Sequence, residues 1–346
     1  MPGISADTRH PGFTIDIVIL FFGLGAFAGL VRSDLRLPEA LYDTLSIYLL
    51  LAIGLKGGVE LARADIGAVF LQALPIVSIG LLLPLVAFPV LRWLGRLPVP
   101  DAASIAAHYG SVSVATFAVG LVHLESLNIA SEAHLPVFMV LLEMPAIAVG
   151  IWLARRFGQA RIAPNLLAST VAPLTTSASA TPAGSAARIA HEVFLNKGIL
   201  LMGGGLLIGA IAGPVGIEPV APLFIDGFKG ALALFLVEMG LIAASRLADL
   251  RASGPFLIAF GVAMPLFGAC VGWLAGTLAG LSPGGVAMIA VLGASASYIA
   301  VPAAMRIAIP EARPSLSITS SLAVTFPFNV LIGIPLYVSV IAGGGS

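Results

Sequence analysis

Two short stretches of glycine and hydroxyl-bearing residues interrupt apolar runs of the sequence. They are residues 108–116 (HYGSVSVAT) and residues 293–298 (GASASY). In each stretch the glycine tolerates an unwound backbone, and the serine hydroxyls can bond to the backbone groups that a broken helix releases. If two broken helices cross, their positive ends and free N–H donors converge on one point. The pattern therefore predicts a site for a small anion.

The predicted anion site takes its residues from both stretches. They are Gly110, Ser111, Ser113, Thr116, Gly293, Ala294 and Ser295. An alternative is that these small residues only allow helices to pack closely, as they commonly do in membrane proteins. The corresponding placement of the two stretches favours a binding site, because transporters bind their substrates at paired discontinuous helices.

Oxygen-bearing side chains inside apolar runs predict a cation site nearby. Glu143 lies two residues before Pro145, Glu238 lies in the run FLVEMG, and Asn329 follows Pro327. Carboxylate, amide and hydroxyl oxygens are the ligands that hard cations prefer, and intramembrane acids indicate function. The predicted Na+ ligands are Ser297, Asn329, Glu238 and Glu143. The alternative for each acid is a hydrogen bond to a neighbouring helix.

The composition indicates a protein solvated mainly by lipid. Of its residues 59% are hydrophobic and 10% are charged, against about 25% charged in soluble domains. Lysine plus arginine equals aspartate plus glutamate, 17 of each, which leaves no basic surface for nucleic acid. The first apolar run lacks the features of a cleaved signal peptide and is interpreted as a permanent helix.

Apolar runs of about 20 residues predict ten membrane spans. They lie near residues 14–31, 40–61, 67–91, 102–122, 134–154, 196–213, 220–244, 254–280, 284–305 and 316–341. Thirteen of the 17 cationic residues fall in or beside alternate loops, which places those loops in the cytoplasm and both termini outside. The prediction is a multi-pass protein of the cytoplasmic membrane.

The two halves of the chain resemble each other at a nearly constant offset. Gly25 matches Gly209, Pro84 matches Pro265, and the other matches also lie 181–186 residues apart. Each half holds an odd number of spans, so the second half enters the membrane in the opposite sense. The predicted fold is an all-α integral membrane protein: ten transmembrane helices in two inverted five-helix repeats with broken, crossing helices.

This fold divides the chain into three parts. They are a first repeat at residues 1–156, a cytoplasmic linker at residues 157–195 and a second repeat at residues 196–346. The linker is small, polar and uncharged at its centre, as flexible tethers are. Its end, residues 185–196, is predicted to form a short interfacial helix.

Other classes of function receive less support from the residues. His108 and Ser111 have the i, i+3 spacing of a possible intramembrane hydrolase, but no nucleophile elbow or metalloprotease motif accompanies them. The sequence contains no phosphate-binding loop, so it does not support ATP-driven transport by this chain. We therefore expect a transporter for a small solute, not an enzyme, with a passive anion channel as the alternative class.

Five stretches of the chain resemble the sodium-dependent bicarbonate transporter family known from cyanobacteria. They are residues 46–58 (SIYLLLAIGLKGG), 108–113 (HYGSVS), 236–240 (LVEMG), 293–302 (GASASYIAVP) and 326–329 (FPFN). The resemblance implies a Na+/bicarbonate symporter with a core and a gate domain, usually a homotrimer. It also implies alternating access, with no cofactor other than Na+ as the coupling ion.

The resemblance further implies where the ligands and partners bind. Bicarbonate would lie where the broken helices cross, at residues 110–116 and 293–297, with Na+ nearby. Some relatives are inhibited by a small PII-like regulatory protein, although nothing in this sequence identifies that partner. The family includes members whose substrate need not be bicarbonate, so another small anion or an organic acid remains an alternative.

Overall fold

The computed structural model describes residues 16–158 and 197–343, and within these residues every regular element is helical. Residues 159–196, with nearly all of the predicted linker and its interfacial helix, lie outside the described residues. The helices are α1 (Ile17–Leu30), α2 (Glu39–Leu61), α3 (Ile66–Pro89), α4 (Val99–Gly110), α5 (Val114–Ser126), α6 (Leu135–Phe157), α7 (Lys197–Ile217), α8 (Phe228–Ser245), α9 (Leu247–Leu278), α10 (Pro283–Gly293), α11 (Ala300–Ala308) and α12 (Pro314–Ile341, with internal π-helical turns).

Eight helical segments of the described chain are long and apolar enough to cross a membrane. One of them, Val99–Ser126, contains both α4 and α5. The helices α1 and α10 are apolar but shorter, and they lie where the first and ninth spans were predicted. The described residues are therefore all-helical and have the make-up of a multi-pass membrane protein, as the composition predicts.

The predicted span at residues 220–244 begins later in the structure. A 3-10 turn (Glu218–Val220) and a π turn (Pro222–Asp226) precede α8, which starts at Phe228. Pro219 and Pro222 lack the N–H that an α-helix needs in its interior, so the helix forms only beyond them. This short irregular segment borders a cavity described below.

Two helix pairs pack with almost no space between their backbones: α1 on α8, and α2 on α7. A Cβ atom added at Gly25 would collide with the Val237 carbonyl oxygen of α8. One added at Gly209 would collide with the Leu55 carbonyl oxygen of α2. Small residues at such contacts let membrane helices approach closely. Glycine is required at these points by the packing distance.

Replacing Gly25 with alanine is expected to destabilise the protein by about 1–3 kcal/mol, the usual cost of overpacking. The added methyl group has no room against α8. Gly23, on the same helix, has no neighbour within 4 Å of an added Cβ and is the matched control. Thermal unfolding in detergent should therefore separate Gly25→Ala from Gly23→Ala. Equal stability of the two variants would contradict this packing.

The remaining helices surround α4, α5 and α10. The segment that contains α4 and α5 is the most enclosed of the eight, because 94% of an 18-residue apolar stretch within it is buried. Helix α4 packs between α3 and α6, and α10 packs on α9. The buried centre of the molecule is thus built from the two stretches that the sequence singled out for chemistry.

Candidate functional site

Both predicted helix interruptions occur. Helix α4 ends at Gly110, and α5 begins at Val114 after Ser113, whose Oγ accepts a hydrogen bond from the Thr116 N–H at 3.2 Å. Ser111 is extended, with ψ of 177°, so the backbone leaves the helix there. Serine favours such an N-terminal position because its short side chain replaces a missing helical acceptor. The second interruption separates α10, which ends at Gly293, from α11.

Hydrogen bonds join the two interruptions directly. The Ser297 N–H donates to the His108 carbonyl oxygen at 2.8 Å. The Ser113 N–H donates to Ser295 Oγ at 3.1 Å, and that hydroxyl donates in turn to the Leu292 carbonyl oxygen at 2.8 Å. The first turns of α5 and α11 therefore start from one shared, buried polar centre, which we call the crossing.

Small residues allow this close approach. A Cβ added at Gly110 would overlap the Pro84 ring and the Ala146 methyl group. Gly293 and Gly268 face each other backbone to backbone, so neither position accepts a side chain. Close packing and a polar centre occur together here, and the two interpretations of these glycines are compatible.

Several buried oxygen atoms near the crossing are left without a partner. Ser111 is 1% exposed and Glu143 is 2% exposed; within the described residues, Ser111 Oγ and Glu143 Oε2 form no hydrogen bond. Glu143 lines a small cavity of about 10 Å³ together with Ser113 and Ser297. That volume holds about one water molecule. Because buried polar groups are normally paired, these unpaired atoms make the crossing the candidate binding site.

The structure also places Asn329 beside the second interruption. Its Nδ2 donates to the Ala294 carbonyl oxygen at 2.7 Å, and its Oδ1 accepts from the Tyr337 hydroxyl at 3.3 Å. Glu238 is different, because it lies on α8 and does not line the cavity at the crossing. Three of the four predicted Na+ ligands are thus gathered at the crossing, and Glu238 is apart from them.

The hydrolase alternative lacks its geometry. His108 Nδ1 lies 2.7 Å from the Ser104 carbonyl oxygen, an acceptor, so Nδ1 carries the proton. In the described part of the chain, neither His108 Nε2 nor Ser111 Oγ has a hydrogen-bond partner. A histidine that activates a serine nucleophile must bond to it. The pair does not make that bond.

Two polar contacts that the sequence analysis missed hold α4 and α10 at their N-terminal ends, which lie away from the crossing. Asp101, 3% exposed in the first turn of α4, accepts from Arg313 through the backbone N–H (2.8 Å), Nε (2.9 Å) and Nη2 (2.6 Å). Glu132 accepts from Ser282, the N-cap of α10, through the N–H (2.6 Å) and Oγ (3.1 Å). Both contacts link the start of a broken helix to the loop before another helix.

These contacts correspond in position but not in residue type. Ser282 follows Asp101 by 181 residues, and Arg313 follows Glu132 by the same number. A search for matching residues does not find them, because an acid aligns with a serine and an acid aligns with an arginine. The constant offset, read together with the three-dimensional contact, is the signal that detects them.

An all-helical membrane protein with two broken helices joined at a buried polar centre has the architecture of a secondary transporter. The model of the Na+-dependent bicarbonate transporter superfamily matches residues 17–342, nearly the whole chain. The chain therefore belongs to this superfamily, which confirms the resemblance found in the sequence. Its membership identifies it as a membrane transport protein. A search of curated proteins finds no match to the chain.

Proposed function

We propose that the protein is a Na+-coupled bicarbonate symporter that works by alternating access. The observation that carries this proposal is the crossing, where the two interruptions bond to each other and the first turns of α5 and α11 begin. Helix N-termini offer unpaired N–H groups and a partial positive charge to an anion. Membership of the superfamily supports both the substrate and its ion.

The proposed architecture is ten spans in two inverted repeats, residues 1–156 and 196–346. If α1 corresponds to α7 and α2 to α8, the packed pairs α1–α8 and α2–α7 become equivalent. The glycine contacts of Gly25 and Gly209 and the tethers at Asp101 and Ser282 then fall at equivalent positions. Matching residues and matching contacts are thus separated by nearly the same number of residues, which supports the proposed repeat.

Packing also supports a division into two moving parts. Helices α1, α2, α7 and α8 pack mainly on one another and would form a gate domain. Helices α3–α6 and α9–α12 surround the crossing and would form a core domain. In this proposal the core moves relative to the gate and exposes the crossing to each side of the membrane in turn.

Bicarbonate would be held by the residues predicted from sequence: Gly110, Ser111, Ser113, Thr116, Gly293, Ala294 and Ser295. Ser111 Oγ is buried without a partner in the described residues and can donate to the anion without breaking a bond. Ser113 and Ser295 already bond to each other. When the cavity widens, the Ser113 N–H would donate to bicarbonate instead of to Ser295 Oγ.

Na+ would bind beside the second interruption. Ser297, Asn329 and Glu143 supply hydroxyl, amide and carboxylate oxygens there, which are suitable ligands for a hard cation. Glu238, the fourth sequence candidate, stays a proposal without a place in this group. A cation next to the anion raises the affinity for it, and the effect is reciprocal because binding free energies are linked.

Uptake of radiolabelled bicarbonate into proteoliposomes tests the function. We expect uptake to be several-fold faster with an inward Na+ gradient than with a K+ gradient, because Na+ and bicarbonate bind cooperatively. Uptake that ignores Na+ would contradict symport and indicate a passive anion channel. Competition by unlabelled small anions and organic acids in the same assay would reveal a different substrate.

The family resemblance adds proposals about assembly and partners. The protein would be a homotrimer in the cytoplasmic membrane, and a PII-like regulatory protein would bind from the cytoplasm. Light scattering of the detergent-purified protein measures the first proposal. Mixing that sample with a purified PII-like protein and repeating the mass measurement tests the second.

A further inference from the structure

A cavity of about 450 Å³ lies at the end of the molecule that the charge distribution predicts to face outside. It is bordered by α2, by the end of α5 with the loop that follows, and by the irregular segment before α8. Two lysines and three acids line it: Lys56, Lys229, Glu125, Glu132 and Asp226. It is far larger than the cavity of about 10 Å³ at the crossing.

One carboxylate in this cavity is shared by the two lysines. Lys56 Nζ lies 3.0 Å from Glu125 Oε1, and Lys229 Nζ lies 3.2 Å from Glu125 Oε2. The lysines belong to α2 and α8, which pack together, whereas Glu125 belongs to α5, which packs with α10. The three residues thus link the two groups of helices across the cavity.

Glu125 occupies an unfavourable place in its own helix. It is the next-to-last residue of α5, where the negative end of the helix dipole repels a carboxylate. The two ammonium groups offset that repulsion. All three side chains are about half exposed, at 50%, 42% and 55%. Exposed ion pairs contribute little to stability, so another anion can compete for the lysines.

We infer that this cavity is an entry site for a small oxyanion, which replaces the Glu125 carboxylate between Lys56 and Lys229. The inference rests on the proposed function. Bicarbonate presents the same planar pair of oxygens as the carboxylate that it displaces, so it can bond to one ammonium group through each oxygen. The exchange breaks the ion pairs between α5 and the helices α2 and α8, so binding of the anion releases the two groups of helices.

The other acids of the cavity do not block this exchange. Glu132 is held by its two bonds to Ser282, and within the described residues it forms no ion pair with either lysine. Asp226 precedes α8, and in the described residues the ion pairs of Lys56 and Lys229 are both with Glu125. Glu125 is therefore the competitor that the anion must displace.

Opposite effects of the two kinds of substitution test the inference. Cells that express each variant are supplied with external bicarbonate, and the half-saturating concentration is measured. We expect Glu125→Gln to lower that concentration about threefold or more, since the competitor is gone. We expect Lys56→Gln and Lys229→Gln to raise it about tenfold each, as loss of a charge-assisted bond does. If the three residues had only a structural role, the half-saturating concentration would shift in the same direction in all three variants. That result would overturn the inference.

A second ion pair at the same end of α2 provides the control. Arg63 Nη1 lies 3.5 Å from Glu60 Oε1, and neither residue lines the cavity. Glu60→Gln and Arg63→Gln remove the same charges from the same predicted face. Their half-saturating concentrations should stay within twofold of the unsubstituted protein, and an equal response in these variants would overturn the inference.

Binding to the purified protein separates this inference from the transport function. 13C-labelled bicarbonate is titrated into the detergent-purified protein and its variants. If the unsubstituted protein transports no bicarbonate into proteoliposomes, the proposed function fails. Tighter binding by Glu125→Gln and weaker binding by the lysine variants would still support the site. Binding that is equal in all variants would overturn the site even if transport is intact.

Discussion

Replacing Ser111 with alanine is expected to lower the rate of Na+-driven bicarbonate uptake by about 10- to 100-fold. A hydrogen bond from a neutral hydroxyl to a charged ligand is worth about 1.5–3 kcal/mol, and about 1.4 kcal/mol corresponds to a factor of ten. In the described residues, Ser111 Oγ is buried and makes no hydrogen bond. Its removal therefore breaks no bond of the folded protein, and the free energy of unfolding should be unchanged or slightly raised.

The measurement pairs initial uptake rates with thermal unfolding of the same preparations. Thr319→Ala is the matched control, because Thr319 also has a buried hydroxyl without a partner in the described residues but lies on α12, outside the two interruptions. It should keep its uptake rate. Normal uptake by Ser111→Ala would contradict the placement of the anion.

Ser295→Ala should affect both properties. Ser295 Oγ accepts from the Ser113 N–H and donates to the Leu292 carbonyl oxygen. Its loss leaves a buried N–H unpaired, at a cost of about 1–3 kcal/mol, and also weakens the proposed anion site. Loss of uptake alone in Ser111→Ala would indicate a hydroxyl that binds the ligand. Loss of both uptake and stability in Ser295→Ala would indicate a hydroxyl that also joins the two broken helices.

Replacing Arg313 with glutamine is expected to destabilise the protein by about 2–3 kcal/mol. Asp101 is 3% exposed and takes two of its three bonds from the guanidinium group. Removing one partner of a buried ion pair usually costs about 3–5 kcal/mol, because an unpaired charge remains. The figure is reduced here because the Arg313 side chain is 59% exposed and water can partly replace it.

Two further variants isolate the cause. Adding Asp101→Asn to Arg313→Gln should restore part of the stability, since the uncompensated charge is removed. Lys197→Gln breaks an exposed ion pair with Asp43 at 2.8 Å and should cost less than about 1 kcal/mol. Denaturation in detergent measures all of these variants. A loss in Arg313→Gln no larger than in Lys197→Gln would show that Asp101 does not depend on the guanidinium group.

The parts of the fold that were predictable from sequence depend on local residue types. Apolar runs must be helical in lipid, because no water satisfies their backbone groups. The interruptions follow from Gly110 and Gly293 with their neighbouring serines, which release and re-bond the backbone in place. The position of Asn329 beside an irregular helix was predictable for the same reason, because Pro327 lies two residues before it. Each of these inferences needs only residues close together in the chain.

The sequence by itself thus determined the membrane class, the family and the two stretches at the crossing. Tertiary structure decided which distant side chains meet. It brought Glu143 to the crossing and left Glu238 on α8, although both acids looked alike in their apolar runs. It also paired Asp101 with Arg313 and gathered Lys56 and Lys229 around Glu125. The physical reason is that such contacts depend on the rotation and separation of whole helices, which the packing of many residues sets together.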